Sequence, residues 1–159
     1  MAVYPNARGF AFAVFEGPLA PLDWGAVEIR GRERNKQCVG RVAKLLSRYW
    51  PEIVVLQDTS ADGTRRAARI RRLNEALAIL AEAQGAHVTF YSRERVRASF
   101  ATEGFATKQR IAEAVAKHIP MLAQFIPPPR KPWHTEHPRM GLFDAVALIM
   151  IFYSGQRLI

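Results

Sequence analysis

Three carboxylates in the 159-residue chain stand where an acid needs a reason to be. Glu16 closes the apolar run 9–16 (GFAFAVFE), Asp58 follows the run 52–57 (EIVVLQ), and Asp144 lies inside the apolar stretch 142–153. A carboxylate is costly to bury unless it is paired, hydrogen-bonded or bound to a cation. Asp144 is the most telling, because Leu142, Phe143, Ala145, Val146, Ala147, Leu148 and Ile149 leave it no polar face. Two or three such acids brought together could hold Mg²⁺ or Mn²⁺, hard ions that take oxygen ligands and can activate water against a phosphodiester. The plainer readings are an acid in the first turn of a helix, favoured there by the dipole, or an ion pair with an arginine.

The charge balance suggests what such a site would act on. Twenty-three Lys and Arg against fourteen Asp and Glu leave +9, with arginine far in excess of lysine. A basic surface favours a polyanion, and the guanidinium fork suits phosphate. Charge alone does not separate nucleic acid from an acidic protein partner. His134 and His137 (HTEH) bring zinc to mind, but one distant cysteine and a loop rich in proline supply no four-ligand set. Cys38, the single cysteine, reads as core filler on a helix and fits a reducing compartment.

The elements that must position these residues follow from periodicity. The run 9–16 predicts a strand, turned by Gly17, Pro18 and Pro21 into a second at 23–30. Val39, Val42, Leu45, Leu46 and Tyr49 recur at helical spacing until Pro51. The run 52–57 is apolar on both parities and predicts a central strand covered on both faces. A helix over 65–84 places Ile70, Leu73, Leu77 and Leu80 on one face and Arg65, Arg66, Arg69 and Arg72 on another, with Gly85 as its cap. A buried strand at 86–91 follows, then helix at 107–118, a loop with five prolines at 127–138, and a last helix at 142–153. No run reaches the roughly 20 apolar residues that span a bilayer. The first eight residues lack the pattern of a signal peptide, so a cytoplasmic location is expected. Together these predict one α/β domain over 1–159, a ribonuclease H-like mixed sheet flanked by helices on both faces.

Four segments in order resemble the RuvC-type Holliday-junction resolvases of the ribonuclease H superfamily. Glu16-Gly17-Pro18 with Asp23-Trp24-Gly25 downstream is similar to the family's opening strand and its Asp-Pro-Gly. The segment 32–58 is similar to its first helix and central strand, and 86–116 to its next strand, basic helix start, loop glycine and following helix. Asp144-Ala145-Val146-Ala147-Leu148 resembles its last-helix signature. The resemblance implies a metal-dependent endonuclease of branched DNA, working as a homodimer with Mg²⁺ or Mn²⁺ on Glu16, Asp58 and Asp144. It implies that Lys108, with Arg97, lies near the scissile phosphate, and that Arg65, Arg66, Arg69, Arg72, Arg97 and Lys108 hold the DNA backbone. The central-strand glutamate of the family falls on Gln57, so a bulge would have to turn Asp58 inward. A further family acid or histidine falls on Gly141, with Glu136 or His137 able to reach in from the preceding loop. Three other outcomes stay open. The chain could be a DNA-binding protein of the same fold with a decayed site, a protein-interaction module, or an unrelated α/β binding module whose acids are surface ion-pair partners.

Overall fold

A computed structural model describes residues 1–60, 66–102 and 104–156. Five strands, β1 (Ala2–Asn6), β2 (Gly9–Gly17), β3 (Ala20–Glu28), β4 (Ile53–Gln57) and β5 (His87–Tyr91), form one mixed sheet in the order β3-β2-β1-β4-β5. The helices are α1 (Arg34–Tyr49), α2 (Ala68–Ala83), α3 (Arg93–Ser99), α4 (Lys108–His118) and α5 (Met140–Gln156), with a 3₁₀ turn at Pro120–Phe125. None of the helices described is long and apolar enough to cross a membrane.

Alternating strand residues build two cores. Val3, Phe10, Phe12, Val14, Val54 and Leu56 pack with Cys38, Val42 and Leu46 of α1 and Leu73 and Leu77 of α2. Their neighbours of opposite parity, Ala2, Tyr4, Ala11, Ala13 and Val55, pack with α4 and α5. The expected mixed sheet with helices on both faces is therefore present. The small side chains on the second face let α5 lie close. Gly141 sits so near the β1–β2 turn that a Cβ there would be 2.8 Å from Asn6 Nδ2 and 3.3 Å from Ala11 Cβ.

The opening strand differs from the one expected. It is β1, which pairs antiparallel with β2 and parallel with β4, so the run 9–16 is the second strand and points the opposite way. Pro5 makes 2–6 look unlike a strand, since proline has no N–H to give a ladder. Here it lies beyond the single registered pair with β4, Ala2 opposite Val55, while its carbonyl accepts from Arg66. Asn6 then closes the turn, its Oδ1 accepting from Arg8 N and Gly9 N at 2.9 and 3.0 Å.

Three smaller differences have local causes. The β2–β3 connection is short, because Leu19 takes a left-handed φ of 56° and the ladder shifts register around Phe15. The strand β5 lies at the sheet edge and is only partly buried, with His87 and Phe90 exposed. The last helix begins at Met140, which puts Asp144 in its second turn.

Candidate phosphate-binding cleft at the strand ends

Parallel β1 and β4 end side by side, and near those ends they turn Tyr4 and Gln57 toward the face that α4 and α5 cover. Gln57 shares the parity of Val55 and is buried, with Asn74 Nδ2 of α2 holding its carbonyl at 2.8 Å. Arg66, just before α2, spans the two strands. Its Nη1 donates to Tyr4 Oη at 2.7 Å and to Gln57 Oε1 at 2.8 Å, its Nη2 donates to Pro5 O, and its guanidinium carbon lies 4.8 Å from the Tyr4 ring centroid.

Asp144 reaches the same place from α5, with its side chain only 12% exposed. Lys108 Nζ stands 3.2 Å from Asp144 Oδ2 and 2.7 Å from Glu136 Oε1, and 5.5 Å from the centre of the Tyr4 ring. The Thr107 side chain caps α4 by accepting from Arg110 N, which fixes Lys108 in the first helical turn. A cation is disfavoured by the dipole at that end, so the two carboxylates hold it there. Burial pushes the Asp144 carboxyl up to about 6 against the pull of Lys108. For Lys108, burial opposes the charge, but Asp144, Tyr4 and Glu136 outweigh it and raise its pKa. Burial also raises the Tyr4 phenol, with Asp144 adding to the shift.

Above this cluster opens a cavity of about 610 Å³, whose lining includes Arg66, Arg93, Arg97, Lys108 and Arg130 with Glu136 and His137. Arg97 is anchored by its Nε donating to Ala106 O at 2.9 Å and lies 5.5 Å from the Phe105 ring centroid. Arg130 donates to His134 O at 3.2 Å. The N-terminus of α4 contributes Thr107, Lys108 and Gln109 to the same wall, and helix N-termini favour anions.

The residues expected at the site divide sharply. Asp144, Lys108, Arg66 and Arg97 come together, and Glu136 and His137 do reach in from the 127–138 loop. Glu16 does not. Ala13 of β2 lies opposite Ala2, so Glu16 runs three residues past that pair, away from the ends of β1 and β4, and lines a different cavity with Pro51 and Glu52. Asp58 does not either, because no bulge interrupts the ladder from Ile53 opposite His87 to Gln57 opposite Tyr91. Its backbone N–H continues to Tyr91 O, and its carboxylate accepts from Ser60 N and Ser60 Oγ at 2.9 and 2.7 Å. Arg69 is tied to Asn35 Oδ1 at 3.0 Å and to the Asn6 carbonyl at 3.3 Å, where it fastens α2 to α1 and β1. Arg72 is exposed on α2 outside the cavity lining, and Arg65 falls outside the described residues.

The residue missed was Tyr4. Its signal was present: a short apolar stretch at 2–4, the turn-forming Asn6-Ala7-Arg8-Gly9, then the apolar 10–14, which together spell a hairpin. Tyr4-Pro5-Asn6 closes β1, the opening strand of the sheet, whereas Glu16 and Gly17 close β2.

These donors do not suit Mg²⁺ or Mn²⁺. Hard divalent ions are held by carboxylates with water or carbonyl oxygen. Glu16, Asp58 and Asp144 are not gathered, and among the described residues no three His, Cys, Asp or Glu converge on one point. Around Asp144 the other strand-end groups are a phenol and an amide already bonded to Arg66, and Lys108 lies on both nearby carboxylates.

Comparison with protein-family models and with curated proteins finds no match. Solved structures do match. RuvC of Thermus thermophilus is 24% identical with a TM-score of 0.65, covering 98% of this chain and 94% of that one. The same organism's RuvC in complex with a Holliday junction substrate gives 21% and 0.63, covering 96% and 93%. The Fowlpox virus resolvase, in complex with its substrate Holliday junction DNA, gives 11% and 0.56, covering 98% and 99%. The chain has the fold of these RuvC and resolvase structures, a mixed sheet with helices on both faces.

Proposed function

We propose that this protein binds DNA, with a preference for branched or distorted forms, and holds its backbone in the arginine-lined cleft without cutting it by two-metal hydrolysis. The observation that carries this reading is the Arg66–Tyr4–Gln57 bridge at the ends of β1 and β4. Where the resemblance calls for strand-end acids, the chain has a neutral phenol and a neutral amide fixed to a guanidinium. Gly141 adds to this, since a longer side chain at that position would strike Asn6. Backbone binding needs only what the cleft retains: fixed cations, a helix N-terminus and room for a sugar-phosphate segment. The complexes of the structural neighbours with Holliday junctions support a branched ligand.

A second reading, the metal-dependent endonuclease, is favoured by one observation. Asp144, Lys108, Arg97 and Glu136 are all in place around the cleft. In either reading a homodimer would present two clefts to two strands of a junction.

The test of binding is a gel-shift titration of a four-way junction and a linear duplex of the same sequence over a range of KCl. The proposal expects tighter binding to the junction and affinity that falls steeply with salt, since each neutralised phosphate releases counterions. Failure to bind either DNA at low salt would remove it, and co-purification of an acidic protein instead would favour an interaction module.

A further inference from the structure

We infer that Arg66 is the resident cation of the cleft, receiving a DNA phosphate directly, so that engagement there requires no divalent ion. The inference rests on the DNA-binding reading and adds which group meets the ligand.

The first ground is where the charge sits. Arg66 bridges the side chains at the ends of the two central parallel strands, and all three of its acceptors, Tyr4 Oη, Gln57 Oε1 and Pro5 O, are uncharged. Among the described residues it forms no ion pair with an acid, and neither do Arg93, Arg97 and Arg130 of the same cavity. The carboxylates that reach the cleft, Asp144 and Glu136, are both engaged by Lys108. A half-buried guanidinium held by neutral groups beside three more arginines leaves positive charge that an anion would balance.

The second ground is electrostatic equivalence. Two strand-end carboxylates present a negative site that repels phosphate until a divalent ion neutralises it. A phenol and an amide carry no charge, so one guanidinium is enough to make the same spot attractive. The guanidinium is planar, permanently charged and matched to phosphate oxygens. The phenol ring beneath it and the three hydrogen bonds fix its orientation before any ligand arrives, which lowers the ordering cost of binding. The first residues of α4 lie in the wall of the same cavity, where the helix dipole favours an anion.

The experiment is fluorescence anisotropy of a labelled four-way junction with the full chain, in EDTA and in MgCl₂ at matched ionic strength. It compares wild type, Arg66→Gln, Arg66→Lys and Arg48→Gln. Arg48, at the C-terminal end of α1, is exposed and lies at the other end of the sheet, so its variant removes the same charge away from the cleft. Wild-type affinity should agree within about twofold between EDTA and Mg²⁺, apart from the general salt effect. Arg66→Gln should weaken binding about tenfold, as expected for losing a charged hydrogen-bond donor to phosphate. Arg66→Lys, which keeps the charge without the fork, should fall between it and wild type, and Arg48→Gln should bind as wild type does.

Arg66 also ties β1 to β4, so thermal melts accompany each titration. If Arg66→Gln does not fold, Arg66→Lys and the wild-type metal comparison decide the matter. Wild-type binding that collapses in EDTA, or Arg66 variants that bind like Arg48→Gln, would overturn the inference while leaving DNA binding intact. Absence of binding by wild type in both buffers would remove the DNA reading and this inference together.

Discussion

The two ends of the sheet hold cavities of nearly equal size, about 610 Å³ at the C-terminal ends of β1 and β4 and about 650 Å³ at their N-terminal ends. Their chemistry is opposite. The first is lined by Arg66, Arg93, Arg97, Lys108 and Arg130, the second by Glu16, Glu52, Tyr49 and Tyr153 with no arginine or lysine. Glu16 and Glu52 thus stand together at the end away from Asp144, whereas the two acids at the cleft, Glu136 and Asp144, are both engaged by Lys108. An acid at the close of an apolar strand marks a site only if the strand runs the right way, and β2 runs antiparallel to the pair that carries the cleft. Volume does not separate the two cavities; the sign of the charge and the direction of the strands do.

The largest effect should come from the one contact on which the cationic end depends most. Lys108→Met leaves Asp144 without its partner, and breaking a buried pair this way costs about 3 kcal/mol in urea unfolding at pH 8. The Asp144 carboxyl, already raised from 3.8 to about 6 in the folded protein, should rise further without Lys108. A raised carboxylate favours the folded state while protonated and costs stability as pH climbs through its folded value. The variant should therefore recover much of the loss at pH 5, and Asp144→Asn added to it should recover the loss at pH 8. Equal destabilisation at both pH values would contradict the ion-pair account.

Gly141→Asp should come next, at about 2 kcal/mol, because its Cβ would press on Asn6 Nδ2 and Ala11 Cβ in a packed turn. A melt unchanged from wild type would show that the turn yields and that the missing acid has no steric cause. Gln57→Glu should fold, lower junction affinity several-fold by pairing with Arg66, and gain no nicking, since Tyr4 still stands beside it. A gain of Mg²⁺-dependent cutting would mean that Gln57 alone was the defect. The smallest effect is expected at the acidic end. Glu16 is exposed there, so Glu16→Gln should change stability by less than about 0.5 kcal/mol and leave DNA affinity as it was.

The sequence displayed the fold's helices and central strand because their patterns are long or apolar on both parities, as at 39–49 and 52–57. It displayed Asp144 because nothing around that residue could solvate an acid. Tyr4 was hidden by Pro5, a residue that argues against a strand unless the neighbouring ladder is known to have ended. Glu16 misled because Glu-Gly-Pro imitates Asp-Pro-Gly in spelling while lying on the next strand. Asp58 and Gln57 differ by one position, and only an unbroken ladder says which faces inward. Arg66 could be read as one of four basic residues on a helix, whereas its bridge between two strands depends on tertiary placement.

The central claim, that the cleft grips DNA but has lost two-metal cleavage, is tested most directly by incubating a labelled four-way junction with wild type and Asp144→Asn in Mg²⁺ and in Mn²⁺. Bound and cut fractions are read from native and denaturing gels of the same samples. The account predicts a retarded junction with intact strands for wild type in both metals. Metal-dependent nicking by wild type that disappears in Asp144→Asn would contradict it.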